Sequence, residues 1–367
     1  MLILTVISEA LLYISFALLI ADYLFSFISQ DKKPFIHVPK KIRLLAAGGI
    51  AVFSFMPILD LLLYLYEDYG IGQALSSVLM TFKVGQAWSF TVILSVILIL
   101  YILFVDDGQE KRYPFIGMVL LLFLILGLGW ASHSSSLHPA KGFIIHTLHF
   151  TAVVTWVGVL FVISWFSKNA ANWRRFLKWF HPTAIICFIV VAITGVLLMQ
   201  FVIPLQDYPD AWMVSYGQSL LMKHLLIVPL LGYAFLNGVI MKKKLKENKS
   251  FDPKPWTKVE SVMVLLIFAA TGAMSHSSPP NNLTSLIRLE GVSPLFTLFT
   301  NGLVSPDASV ELVVNVNSLL LGTLAVVFMI VMVAGFIKKM TPLFSFLMSV
   351  LFIISGYLAL LQSVQMM

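Results

Sequence analysis

The chain is poor in charge and nearly devoid of cysteine. Of its 367 residues only 11% are Asp, Glu, Lys or Arg, against about 25% in soluble domains. Its single cysteine, Cys187, excludes an internal disulfide and any C-x-x-C metal-binding antechamber. No G-x-x-x-x-G-K followed by Ser or Thr occurs, so ATP is not the expected energy source. No nucleophile–base motif is visible, and the chain is not read as an enzyme. Its net charge of +7 follows from the placement of basic residues between helices, described below, and nucleic acid is not an expected partner.

What the chain does have is hydrocarbon. Hydrophobic residues make up 59% of it, and its mean hydropathy is +0.94. Apolar runs of about 20 residues recur, the length that spans a bilayer as a helix. Backbone groups in lipid must pair within their own segment, so these runs are helices. Ten are predicted: Leu2–Ile28, Ile42–Tyr66, Gln86–Val105, Tyr113–Ser132, Phe143–Phe166, Phe176–Pro204, Tyr216–Met241, Val259–Met274, Leu312–Ile337 and Leu343–Gln362. The fold class is therefore all-α, a polytopic protein of the lipid bilayer. The eighth span is the shortest and contains Glu260.

Basic residues alternate from loop to loop. Lys32, Lys33, Lys40, Lys41 and Arg43 follow the first span, and Lys111 and Arg112 precede the fourth. Lys168, Arg174, Arg175 and Lys178 separate the fifth and sixth. Seven lysines from Lys242 to Lys258, Lys249 among them, separate the seventh and eighth, and Lys338 and Lys339 separate the last two. Only Lys83, Lys141, Lys223 and Arg288 fall on the opposite side. The excess marks the cytoplasmic face. It predicts a bacterial plasma-membrane protein with both termini extracytoplasmic. The N-terminus lacks a basic n-region and a small-residue cleavage site, so the first span is expected to be retained.

Two spans end in nearly the same words, Ala131-Ser132-His133-Ser134-Ser135 and Met274-Ser275-His276-Ser277-Ser278. A glycine, Gly129 or Gly272, stands four residues before each histidine. The third span is entered through Val84-Gly85-Gln86-Ala87 and the seventh through Tyr216-Gly217-Gln218-Ser219. These matches in the same order predict a duplicated four-helix unit. Four is even, so the copies share one orientation, a parallel repeat. The expected divisions are 1–142, 143–280 for the second copy, and 281–367 for an external loop plus two further helices. The loop, Pro279–Pro306, is too short for a core of its own. The last two helices hold no histidine or buried charge and are assigned packing roles.

Histidine carries the chemistry. On this topology His133, His138 and His276 lie at the outer ends of spans, and His146 and His149 one to two turns deeper. His224 is ~12 Å into the seventh span at 1.5 Å per residue. His146 and His149 are three apart and share a helix face. Such a pair inside a membrane is costly without partners. Imidazole suits copper, zinc, iron and nickel, and thioethers favour Cu(I); Met222 and Met274 lie at similar depth. Glu9, ~10 Å into the first span, is a further candidate ligand, or the partner of Lys223 in an intramembrane ion pair. His181 and Cys187 read as structural.

These residues sit within a pattern that resembles the copper resistance protein D (CopD-type) membrane family. The matching pieces are His149 with Trp156-Val157-Gly158, Arg175-Phe176, Thr194-Gly195, Tyr216-Gly217-Gln218-Ser219-Leu220-Leu221-Met222-Lys223, and Glu260 with Pro279-Pro280. The resemblance covers about 1–280 and is most distinct over 143–280. It implies movement of copper across the bacterial inner membrane, usually inward, often beside a periplasmic CopC-type copper-binding domain. No such domain lies in these residues, so the implied donor is a separate extracytoplasmic copper-binding protein or the medium. The two extra helices depart from the family's eight-helix pattern.

Three functions fit. In the first, copper ion meets His133, His138 and His276 at an outer mouth and passes to His146, His149 and His224, with Met222 or Met274 as soft contacts. In the second, the chain is a membrane b-type cytochrome that holds haem through His149 and His224 on facing helices. In the third it hands copper on without transporting it.

Overall fold

The computed structural model describes residues 2–105, 111–248, 251–299 and 304–367. Among them ten helices are long and apolar enough to cross a membrane, in the order predicted, and the sheet among the described residues is one two-stranded pairing. The protein is an all-α, multi-pass membrane protein. Lys249 and the loop residues 300–303 lie outside the described residues. The chain packs as two compact units, an N-terminal one of Ile7–Phe201 and a C-terminal one of Met1–Val6 with Val202–Met367.

The N-terminal unit takes in α1 (Leu2–Phe27, from Ile7 onward), α2 (Lys40–Phe53), α3 (Met56–Thr81), α4 (Lys83–Phe104), α5 (Arg112–Trp130), α6 (His133–Leu137), α7 (Pro139–Phe166) and α8 (Trp173–Gln200). Lipid supplies no hydrophobic drive between helices, so close backbone approach does the packing. Gly158 of α7 lies so near the Ala17 carbonyl of α1 that a Cβ would collide with it, and Gly117 of α5 accommodates the Tyr23 ring of α1.

The second predicted span departs from expectation. Ile42–Tyr66 is not one helix: α2 stops at Phe53, and α3 restarts at Met56 and runs to Thr81 across a kink at Gly70, whose φ is 68°. Pro57 is the cause of the first break, because it has no N–H to give the preceding turn and its ring clashes there. The carbonyls exposed by that break are taken up by side chains. Trp88 Nε1 donates to Ala51 O (3.0 Å) and Ser8 Oγ to Phe53 O (3.2 Å). Such re-satisfaction is required within a membrane.

The C-terminal unit is built from α9 (Ser215–Phe235), a buried π turn (Leu236–Ile240), α10 (Met241–Glu247), α11 (Lys254–His276), α12 (Leu283–Glu290), α13 (Pro294–Thr297), β1 (Val310–Leu312), α14 (Val316–Ile337), α15 (Pro342–Gln362) and β2 (Val364–Met366). The eighth span is longer than predicted, 23 residues rather than a short Val259–Met274. Pro255 in its first turn suits a helix start, and Glu260 is accommodated by a partner described below. The ninth begins at Val316, later than predicted, because Asn315 and Ser318 form a capping box there and Leu312 is drawn into antiparallel pairing with Val364.

The Pro279–Pro306 loop borrows its core. Ile287 of α12 and Phe296 of α13 join Trp212, Leu221, Tyr357 and Leu361 in one buried apolar cluster. The two Gly-Gln pairs behave alike in their separate units. Gln86 Nε2 donates to Met80 O (2.8 Å) and Gln218 Nε2 to Trp212 O (2.5 Å), each six residues upstream. Gly85 and Gly217 each lie against an upstream carbonyl, Val78 O and Ala211 O, with no space for a Cβ.

Candidate metal-handling site

The candidate ligands divide between the units. Glu9, His133, His146 and His149 belong to the N-terminal unit; Met222, His224, Met274 and His276 belong to the C-terminal one. Among the described residues no three His, Cys, Asp or Glu side chains group as a ready-made metal cage.

In the N-terminal unit the first Ser-His-Ser-Ser copy folds back onto α7. Ser132 caps α6 by accepting from Ser135 N (3.2 Å), and the Ser134 carbonyl sits against Gly142 with no room for a side chain between them. One turn earlier, Gly129 leaves space that Thr147 of α7 fills. His133 is thus carried on a turn that packs against the segment bearing His146 and His149. Its ring is exposed on one side, and the protein packed around the other lowers its pKa from the usual 6.5. A lowered pKa means the proton leaves more readily, so His133 stays neutral to a lower pH than an ordinary imidazole. Protonation of the His133 ring, followed by NMR in a pH series, should accordingly have its midpoint below pH 6.5; a midpoint at or above the ordinary histidine value would contradict this.

His149 is the most closely defined of the group. Its Nδ1 lies 2.9 Å from Thr194 Oγ1 of α8. Thr194 has one hydroxyl hydrogen, and its Oγ1 donates to Val190 O (2.5 Å). The threonine oxygen must then accept from His149 Nδ1–H. In the neutral ring that leaves the lone pair on Nε2, one of the two forms in which histidine binds metals. His146, one turn earlier, stacks on Phe150 (centroids 6.5 Å apart, 8° between planes). Phe150 in turn meets Tyr13 (5.5 Å) and Phe16 (5.3 Å) of α1 edge-on, and Tyr13 hydrogen-bonds Glu9. Below the pair, Thr151 and Thr155 donate to Thr147 O and Thr151 O (2.7 Å each), a line of hydroxyls on one face of α7. A cavity of about 670 Å³ opens in this unit among Lys83, Gln86, Phe90, Trp130, Ser135 and Phe143. Its wall is mostly apolar and the candidate histidines do not form it.

In the C-terminal unit the candidates are committed to the fold to different degrees. His224 Nδ1 is 2.7 Å from the Tyr208 hydroxyl, whose ring packs at 5.5 Å. Burial pushes the Tyr208 pKa up to about 12, so it remains a neutral hydroxyl at physiological pH. Met222 packs against the apolar cluster of Trp212 and Phe296. Met274 is half-buried and His276 is the exposed last residue of α11. His138 rests against the Phe201 ring (4.5 Å) in the N-terminal unit. The sequence singled out neither Thr194 nor Tyr208 as a site residue. Thr194 was visible only as part of the Thr194-Gly195 piece, and nothing in sequence spacing joins Tyr208 to His224.

Ten helices of membrane-spanning length and apolarity among the described residues define the class, that of multi-pass integral membrane proteins. Residues 174–274, which include Thr194 and the whole of α9, match the family model described as CopD, copper resistance protein D. That segment of the chain is thus similar to the copper resistance protein D family, within the stretch where its sequence pattern resembled it. No curated protein and no solved structure matches it.

Proposed function

We propose that this protein moves copper inward across the bacterial cytoplasmic membrane, taking it up at the face opposite the lysine-rich loops. His133 receives the ion from the medium or from a separate copper-binding protein, and His146 and His149 take it into the N-terminal unit. Thr151 and Thr155 continue the polar line along α7. The second Ser-His-Ser-Ser copy, with His224, Met222 and Met274, provides a related set in the C-terminal unit. The matching roles of Gln86 and Gln218 support the sequence duplication of 1–142 and 143–280.

The observation that carries this reading is the bond from His149 Nδ1–H to Thr194. A membrane helix retains an imidazole only at a cost, and here it is held in a metal-binding tautomer by a residue of the matched segment. Successive weak sites, rather than one tight cage, suit conduction, because an ion must also leave. Among the described residues nothing supports the haem reading.

The test is copper flux into sealed vesicles carrying the purified protein. Wild type should load copper above empty vesicles. Thr194→Val, which keeps the side-chain shape and removes the acceptor, should lower apparent copper affinity about 10–100-fold, the usual cost of losing a ligand's supporting hydrogen bond. Wild-type flux equal to that of empty vesicles would refute the proposal.

A further inference from the structure

Glu260 lies inside α11 and is 3% exposed; Asn237, on the π turn between α9 and α10, is 5% exposed. Asn237 Nδ2 donates to Glu260 Oε2 (2.7 Å) and to the Trp256 carbonyl (3.3 Å), so both amide hydrogens are in use. Asn237 Oδ1 is buried and has no hydrogen-bond partner. Among the described residues Asn237 is the one side chain bonded to Glu260. The charged groups on the elements packed around α11 are engaged elsewhere or lie at helix ends. Lys244 of α10 donates to Phe336 O (3.2 Å) and sits over the Phe251 and Phe336 rings (4.6 and 4.3 Å). Lys254 and Lys258 stand in the first turns of α11, and Lys338 and Lys339 follow α14. Tyr233 of α9, one turn before Asn237, is bonded to Ser349 of α15 (3.0 Å), and Tyr357 of α15 donates to Gln218 Oε1 (2.5 Å).

An ionised carboxylate with a single amide partner and no counter-ion is too costly to bury. A neutral carboxyl is not, and it brings an O–H that suits the orphaned Asn237 Oδ1. The π turn matters here as well, since such insertions widen a helix and recur at functional sites. We propose that Glu260 and Asn237 form a proton-binding site in the C-terminal unit, loaded at rest and coupled to copper movement. On unloading, the carboxyl O–H bond breaks, the electron pair stays on the carboxylate oxygen held by Asn237 Nδ2, and the proton passes to water at the lysine-rich end. The coupling rests on the transport reading above; the proton site does not.

Infrared spectroscopy of the full chain in lipid tests the site without copper. Wild type should show a protonated-carboxyl C=O band that shifts in D2O and disappears on alkaline titration. Glu260→Gln should lack it, and Asn237→Leu should move it to higher frequency by removing the hydrogen bond to the carboxyl. Identical spectra for wild type and Glu260→Gln would overturn the site, as would an unmoved band in Asn237→Leu should the Gln variant fail to fold. Copper flux under an imposed pH difference tests the coupling. With one proton per copper, the wild-type accumulation ratio should change about tenfold per pH unit, while Glu260→Gln should not respond. An equal response in both would overturn coupling with the proton site intact. No copper flux in wild type would sink the transport reading instead, and the infrared result would still stand.

Discussion

Vesicles carrying the His146→Ala/His149→Ala protein are expected to take up copper with an apparent affinity at least about 100-fold below wild type. Losing a hydrogen-bonding residue behind a metal ligand already costs 10–100-fold, and this variant removes the proposed ligands themselves. The loss should appear with the protein still inserted, because neither imidazole fills a tight space in the apolar core: both rings are only half-buried. Equal uptake at equal expression would take the pair out of the mechanism. The single variants should differ. His149→Ala also leaves Thr194 Oγ1 without its donor, so it should cost more than His146→Ala, whose ring stacks on Phe150.

The second large effect is structural. Gly158→Val should destabilise the N-terminal unit by at least about 3 kcal/mol, the upper end of ordinary overpacking. The atom a new Cβ would strike is the Ala17 backbone carbonyl of α1, which cannot move aside as a side-chain end can. That is a large part of a domain's usual 5–15 kcal/mol. Gly48→Ala is the control. Nothing lies within 4 Å of its added methyl, and an alanine in a helix interior is favoured over glycine by up to about 1 kcal/mol. Thermal melts of the two variants in detergent check the contrast. A Gly158→Val protein as stable as Gly48→Ala would mean that α1 and α7 do not pack as described.

Both predictions begin from residues legible in the sequence, and they show where that legibility stops. Span number and class could be read because lipid admits few backbone solutions, so length and apolarity decide almost everything. Pro57 was visible too, yet the break it causes was not read, since an apolar run does not reveal whether Trp88 and Ser8 will catch the exposed carbonyls. Asn315 and Ser318 set the start of α14 through a capping box. The sequence reading placed that start at Leu312, which tertiary strand pairing claims instead. In the site, histidine announced itself by clustering at the ends of apolar spans. Its supporting atoms did not. Thr194 is 45 residues from His149 and Asn237 is 23 from Glu260, and only the packing of α8 on α7 and of α11 on α9 brings each pair together. Met222 reads from sequence as a soft ligand, while the structure packs it against the apolar cluster under α12 and α13.

X-ray absorption at the copper edge, on purified protein loaded with one equivalent of copper, bears most directly on imidazole capture of the metal. The expected spectrum carries the multiple-scattering pattern of histidine rings, weakened in the His146→Ala/His149→Ala protein. Copper that washes out of wild type, or that is retained with no imidazole signature, would contradict it.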